Sequence, residues 1–111
     1  MEETAGAFFE AMNAQDGDAA ALLVRDDVEI VLGPNRFTGR TALRELAEQT
    51  HDDLAFETTP QSFHTGTESE LGVQVERVQR WRESGEVAAT EQLEVLLSFD
   101  AAGLIARIEL R

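Results

Sequence analysis

The sequence has no cysteine and no lysine, and it contains only two prolines, two histidines and one tryptophan. Without cysteine there are no disulfides, no thiolate metal ligands and no cysteine nucleophile, so a packed core must hold the fold together. No apolar run approaches the roughly 18 residues of a membrane span. Met1-Glu2-Glu3 lacks the basic-then-apolar pattern of a secretory leader, and cytoplasmic residence is the expectation. Basic residues are scarce: 9 arginines stand against 22 acidic residues, for a net charge of −13. Such a surface repels phosphate backbones and anionic lipids, which argues against nucleic acid or a membrane as partner. No phosphate-binding glycine pattern and no Ser-His-Asp arrangement is readable. The sequence calls for no cofactor and no metal, since His51-Asp52-Asp53 cannot by themselves converge on an ion.

What is present suits one globular domain spanning 1–111. Hydrophobic residues make up 42%, too many for a disordered chain and ordinary for a folded one. Ala5, Phe8, Phe9 and Met12 recur at helical spacing through 3–14. Asp16 can cap a short second helix, with Leu22 and Leu23 facing inward. Val28, Ile30 and Leu32 then alternate as a strand, and Gly33-Pro34-Asn35 turns the chain. A third helix is expected over 41–51, with His51 in its last turn. From Leu54 onward the period changes to two, giving strands over 54–65, 71–82, 87–99 and 104–110. Pro60 marks the first of these as an edge or a bulge. Helices followed by consecutive strands imply an α+β architecture.

Two turns set the register. Glu83-Ser84-Gly85 fits a hairpin whose glycine takes the left-handed conformation, which places Trp81 opposite Val87, Arg77 opposite Glu91, Val75 opposite Leu93 and Leu71 opposite Leu97. A one-residue slip would set Val75 against Glu94. Asp100-Ala101-Ala102-Gly103 then sets Phe99 against Leu104, Leu97 against Ala106 and Val95 against Ile108. One sheet face is apolar. The other carries Gln74, Glu76, Glu94, Arg107 and Glu109, mixed with Val78, Leu96 and Ile105, and on those three apolar residues a homodimer through this outer face is expected.

Three stretches resemble the NTF2-like, or SnoaL-like, superfamily of cone-shaped α+β proteins. They are Phe8-Phe9-Glu10-Ala11-Met12-Asn13-Ala14-Gln15-Asp16, Asp26-Asp27-Val28-Glu29-Ile30, and Phe37-Thr38-Gly39-Arg40-Thr41-Ala42-Leu43. The closing Phe99–Ile105 segment is similar to the superfamily's last hairpin. The resemblance implies three N-terminal helices packed on a strongly curved antiparallel sheet, with a pocket open at one end. It also implies a range of activities, from isomerases, dehydratases, epoxide hydrolases and polyketide cyclases to non-catalytic binding modules. Steroid isomerases of this kind need a general base and oxyanion donors. The matching positions here are Phe8, Ile30 and Val95, and hydrocarbon can neither take a proton nor hold an oxyanion.

The inner face points to a small-molecule pocket with a largely apolar wall from Phe8, Met12, Ile30, Phe56, Val75, Leu93 and Val95. Gln79 and Trp81 lie toward its mouth. Arg77 could bind an anionic or carbonyl oxygen, with Glu91 orienting it or acting as a base. Of the two histidines, His64 is the better acid–base candidate. A small hydrophobic or carbonyl-bearing ligand fits this picture. Two rivals stand beside a binding protein: a SnoaL-like enzyme of cyclase, hydrolase or dehydratase type using Arg77, Glu91 and His64, and a dimeric accessory domain with a vestigial pocket. The bland account of Arg77 and Glu91 is a cross-strand ion pair worth about 0.2–1 kcal/mol.

Overall fold

The computed structural model describes residues 1–111. Helix α1 (Glu2–Asn13) buries Ala5, Phe8, Phe9 and Ala11, and Glu2 and Glu3 place negative charge in its first turn, where the helix dipole favours it. Helix α2 (Gly17–Ala21) is capped by Asp16, whose carboxylate accepts the Ala19 N–H at 3.0 Å. Strands β1 (Val24–Leu32) and β2 (Asn35–Thr38) follow, then α3 (Arg40–Glu48). Strands β3 (Leu54–Thr67), β4 (Glu70–Trp81), β5 (Val87–Phe99) and β6 (Ile105–Leu110) complete the chain. No helix is long and apolar enough to cross a membrane.

All six strands form one sheet in the order β2-β1-β6-β5-β4-β3. The sheet is mixed rather than antiparallel throughout, because β1 runs parallel to β6. Nor do all three helices precede the strands, since α3 follows β1 and β2. Strand β2 has no counterpart in the sequence reading; its residues are all exposed, so it carries no burial pattern to betray it. Pro60 lies in β3, an edge strand, beside a register shift, so its missing N–H costs the ladder little. The helices and the inner sheet face enclose a core of 18 buried residues, with no polar side chain buried among them.

The β4–β5 pairing holds as read from Gln79 inward: Arg77 faces Glu91, Val75 faces Leu93 and Leu71 faces Leu97. Nearer the turn it differs, because Val87 pairs with Arg80 rather than Trp81. The turn is one residue longer than read, closed by Gly85 N–H to Trp81 C=O at 2.8 Å, with Gly85 at φ 75°. A bulge just beyond it absorbs the extra residue. The β5–β6 register departs further. Phe99 pairs with Ile105 and Leu97 with Ile108, with a bulge between. A two-residue slip keeps Ile108 inward, but the bulge also rotates Ile105 into the core, where it is fully buried. Ile105 is therefore not on the outer face. The Asp100 carboxylate fixes this loop by accepting the N–H groups of Ala102 and Leu104, both at 2.9 Å.

At the start of β1 the chain also differs from the reading. Leu22 is 77% exposed instead of inward, and Asp26-Asp27 sit inside β1 at an irregularity. Their carboxylates have structural partners. Arg40 donates to the Val24 carbonyl at 2.7 Å and also to Asp26, tying α3 to β1. Arg25 donates to Asp27 at 2.9 Å, and that hydrogen bond, with the attraction of the charge, holds the Asp27 carboxyl below its usual range.

Candidate functional site

Between the helices and the inner sheet face lies a chamber of about 190 Å³. Phe8 and Met12 reach it from α1, Leu43 and Leu46 from α3, and Ile30 from β1. Val75, Leu93, Val95, Ile108 and Leu110 supply the sheet wall. Of its 14 lining residues 12 are hydrophobic; Thr58 and Arg77 are the others. It opens beside a larger, polar vestibule of about 610 Å³, with Met12, Leu46, Thr58 and Arg77 lining both.

The vestibule is built from the ends of elements. Asn13, at the end of α1, holds edge strand β3 by a reciprocal pair of hydrogen bonds. Its amide donates to Thr58 C=O and accepts Thr58 N–H, both at 2.8 Å. Gln15, in the left-handed region at φ 56°, donates to Gln49 C=O at 2.9 Å and anchors the segment after α3. Arg82 anchors the same segment from β4's side: its Nε donates to the carbonyls of His51 at 2.9 Å and Leu54 at 3.2 Å. The His51 ring stands edge-on to Phe56, with centroids 4.6 Å apart.

Arg77 sits at the junction of the two spaces. Its Nη2 donates to both Glu91 oxygens, at 3.0 and 3.1 Å, and its Nε reaches one of them at 3.3 Å. Gln79 donates to the same carboxylate. The guanidinium lies 5.8 Å from the Phe56 ring centre, a cation–π distance. Glu91 itself lines neither space; it stands behind Arg77 and, with Gln79, fixes the plane of the guanidinium.

Among the residues singled out from the sequence, Phe8, Met12, Ile30, Val75, Arg77, Leu93 and Val95 meet at the chamber, and Phe56 and Gln79 line the vestibule. Glu91 is held against Arg77 without lining either space, and Trp81 and His64 do not join the site at all. Trp81 is 47% exposed and lines a separate surface groove with Asp52, Asp53 and Glu83, because the longer turn carries it past the mouth. His64 lies on the opposite side of the sheet. It pairs with Gly72, over whose missing side chain its ring sits, and its Nε2 is 3.7 Å from Glu94. Glu94 ends a row of ion pairs crossing the outer face, Arg36–Glu29–Arg107–Glu109–Arg111–Glu94, with separations of 2.8, 3.8, 3.4, 3.0 and 3.7 Å.

His51, Arg82, Asn13 and Thr58 are the site residues that sequence reasoning missed. The sequence pattern puts His51 in the last turn of α3, but that helix stops at Glu48 and Gln49 is extended, so the histidine swings onto the vestibule wall. No glycine or proline marks that stop. Asn13 did carry a signal, as a polar residue fixed within the resembling α1 segment.

No protein-family model and no curated protein sequence matches the chain. Solved structures do. A candidate polyketide cyclase from Xanthomonas campestris pv. campestris superposes with a TM-score of 0.82 at 18% identity, covering 98% of this chain and 87% of that one. The Δ5-3-ketosteroid isomerase from a Mycobacterium species gives a TM-score of 0.77 at 15% identity, covering 98% and 89%. A Mycobacterium tuberculosis protein in complex with estradiol-17β-hemisuccinate gives 0.77 at 14%, covering 96% and 88%. The chain has the NTF2-like, SnoaL-like α+β fold.

Proposed function

We propose that this protein binds a small, largely apolar molecule, its hydrocarbon part in the inner chamber and its polar end at Arg77. One observation carries the reading: a space with 12 hydrophobic lining residues of 14 lies open beside a core of 18 buried residues. Close-packed interiors rarely leave such room without use. Similar folds that include a steroid isomerase and a steroid-ester complex support small-molecule binding. At about 190 Å³ the chamber falls below the roughly 300–1,000 Å³ of drug-sized sites, so the part it takes is small.

Enolisation by the steroid-isomerase route has no base in the chamber, since Phe8, Ile30 and Val95 all line it and no carboxylate does. Water activation between acidic residues would need more than the one carboxylate, Glu91, that Arg77 holds.

Cyclohexanone, a compact apolar ketone, tests the reading. Methyl NMR should show saturable shifts at Val75, Val95 and Ile108. Leu93→Trp, which fills the chamber from a half-exposed position, should weaken that binding at least tenfold, about 1.4 kcal/mol, while the spectrum stays folded. Binding that ignores Leu93→Trp would remove the chamber as the site.

A homodimer through the outer sheet face belongs to the same proposal, now resting on Val78 and Leu96 alone, since Ile105 is in the core. Its expected result is a dimer by sedimentation at micromolar concentration. A single monomeric species there would dispose of it.

A further inference from the structure

We infer that the ligand of this pocket carries a carboxylate, which the vestibule receives between Arg77, Arg82 and His51; the inference rests on the proposed binding role of the chamber. The first observation is a local reversal of charge. Acidic residues outnumber basic ones 22 to 9 along the chain, yet none of the 14 residues lining the vestibule is acidic. Two of its lining residues are arginines and one is a histidine.

The second observation concerns what those arginines have left to give. Seven of the nine arginines lie within salt-bridge distance of a carboxylate, whereas Arg80 and Arg82 do not. Arg82 spends Nε on the His51 and Leu54 carbonyls, which orients the fork and leaves both terminal nitrogens without a protein partner. Arg77 spends Nε and Nη2 on Glu91 and keeps Nη1 free at the junction of chamber and vestibule. A guanidinium held by its own hydrogen bonds loses little freedom when it takes a carboxylate, and such pairs are short and directional. The His51 ring, fixed against Phe56, offers a ring N–H in either protonation state.

Net charge opposes this assignment, and magnitudes decide against the objection. The surplus of 13 negative charges is spread over the whole surface. Charges beyond about 8–10 Å are largely screened at physiological salt, while a contact pair at about 4 Å is not. Glu91 is the carboxylate in contact with Arg77, and it is already matched by Nε and Nη2 of that guanidinium; Asp52, Asp53 and Glu83 line a separate groove that Arg82 also borders. Chamber and vestibule therefore define one amphiphile: a small hydrocarbon body with a carboxylate at one end.

Three probes sharing one hydrocarbon test this: 4-phenylbutanoate, 4-phenylbutan-1-ol and 4-phenylbutylammonium, titrated into the full chain by calorimetry and methyl NMR. The carboxylate should bind about tenfold more tightly than the alcohol, and the ammonium most weakly. Arg82→Gln should bring the ratio of carboxylate to alcohol affinity most of the way to one. Arg82→Lys, which keeps the charge, should retain part of the carboxylate's advantage. Equal affinities for alcohol and carboxylate, with Val95 and Ile108 methyls shifting for both, would overturn the carboxylate assignment and leave the pocket standing. No methyl shift with any probe would overturn both. Equal losses in Arg82→Gln and Arg82→Lys would overturn the role of charge.

Discussion

Leu97→Ala is expected to lower the free energy of unfolding by about 2–5 kcal/mol, read as a fall in the denaturant midpoint at unchanged slope. Leu97 is fully buried on β5, between Leu71 of β4 and Ile108 of β6, so its removal leaves a cavity where three strands meet. Two lost terms add there: the transfer of the side chain and the void that neighbours cannot fill. Against a typical total of about 5–15 kcal/mol, the loss would be a large share of stability. Leu93→Ala makes the informative comparison, because Leu93 is on the same face of the same strand but lines the open chamber. Its side chain already borders empty space, so truncation should cost clearly less. Equal costs at the two positions would mean the chamber is not a void in solution.

Gly39→Ala is expected to cost about 1–3 kcal/mol, and to loosen the chamber as well. Gly39 sits at φ 100° and ψ 163°, a backbone region essentially reserved for glycine. The conformation is pinned from both sides, since its N–H donates to Val28 C=O at 2.8 Å and its carbonyl accepts Leu43 N–H at 3.2 Å. An added Cβ would meet nothing closer than the Asp26 carbonyl at 3.6 Å, an ordinary contact, so the cost is conformational and not a clash. Because α3 starts here and carries Leu43 and Leu46 into the wall, cyclohexanone affinity should fall together with stability. A melting temperature within a degree of the parent would show that this backbone is not held as described.

Periodicity made the inner sheet face legible. Val73 and Val75 alternate with Gln74 and Glu76, Leu93 and Val95 flank Glu94, and a pairing constrained at many positions leaves one register. That same constraint sets Arg77 opposite Glu91. Features depending on loops were not legible. Ile105 and Leu22 changed sides because a bulge or an early helix end moves every later side chain, and neither event has a sequence marker here. Strand β2 lacks a buried residue, so no hydrophobic pattern records it. The vestibule fared worst. His51, Arg82 and Asn13 lie far apart in sequence and are held in place through backbone groups, which residue identity does not encode. His64 shares the parity of the inward-facing Phe56 and Thr58, and only the register shift between Pro60 and Ser62 turns it to the outer side beside Gly72.

The parallel seam between β1 and β6 has a consequence for how this chain is made. Ile30 lies beside Ile108 and Leu32 beside Leu110, so the middle of the sheet joins residues 78 apart in sequence. Pairings of such high sequence separation must close a long loop before any contact rewards them, and they slow folding. During synthesis β1 and β2 would wait on the ribosome as an incomplete ribbon until β6 emerges. In that interval the unpaired edge of β1, with Val28 and Ile30 uncovered, is open to wrong partners.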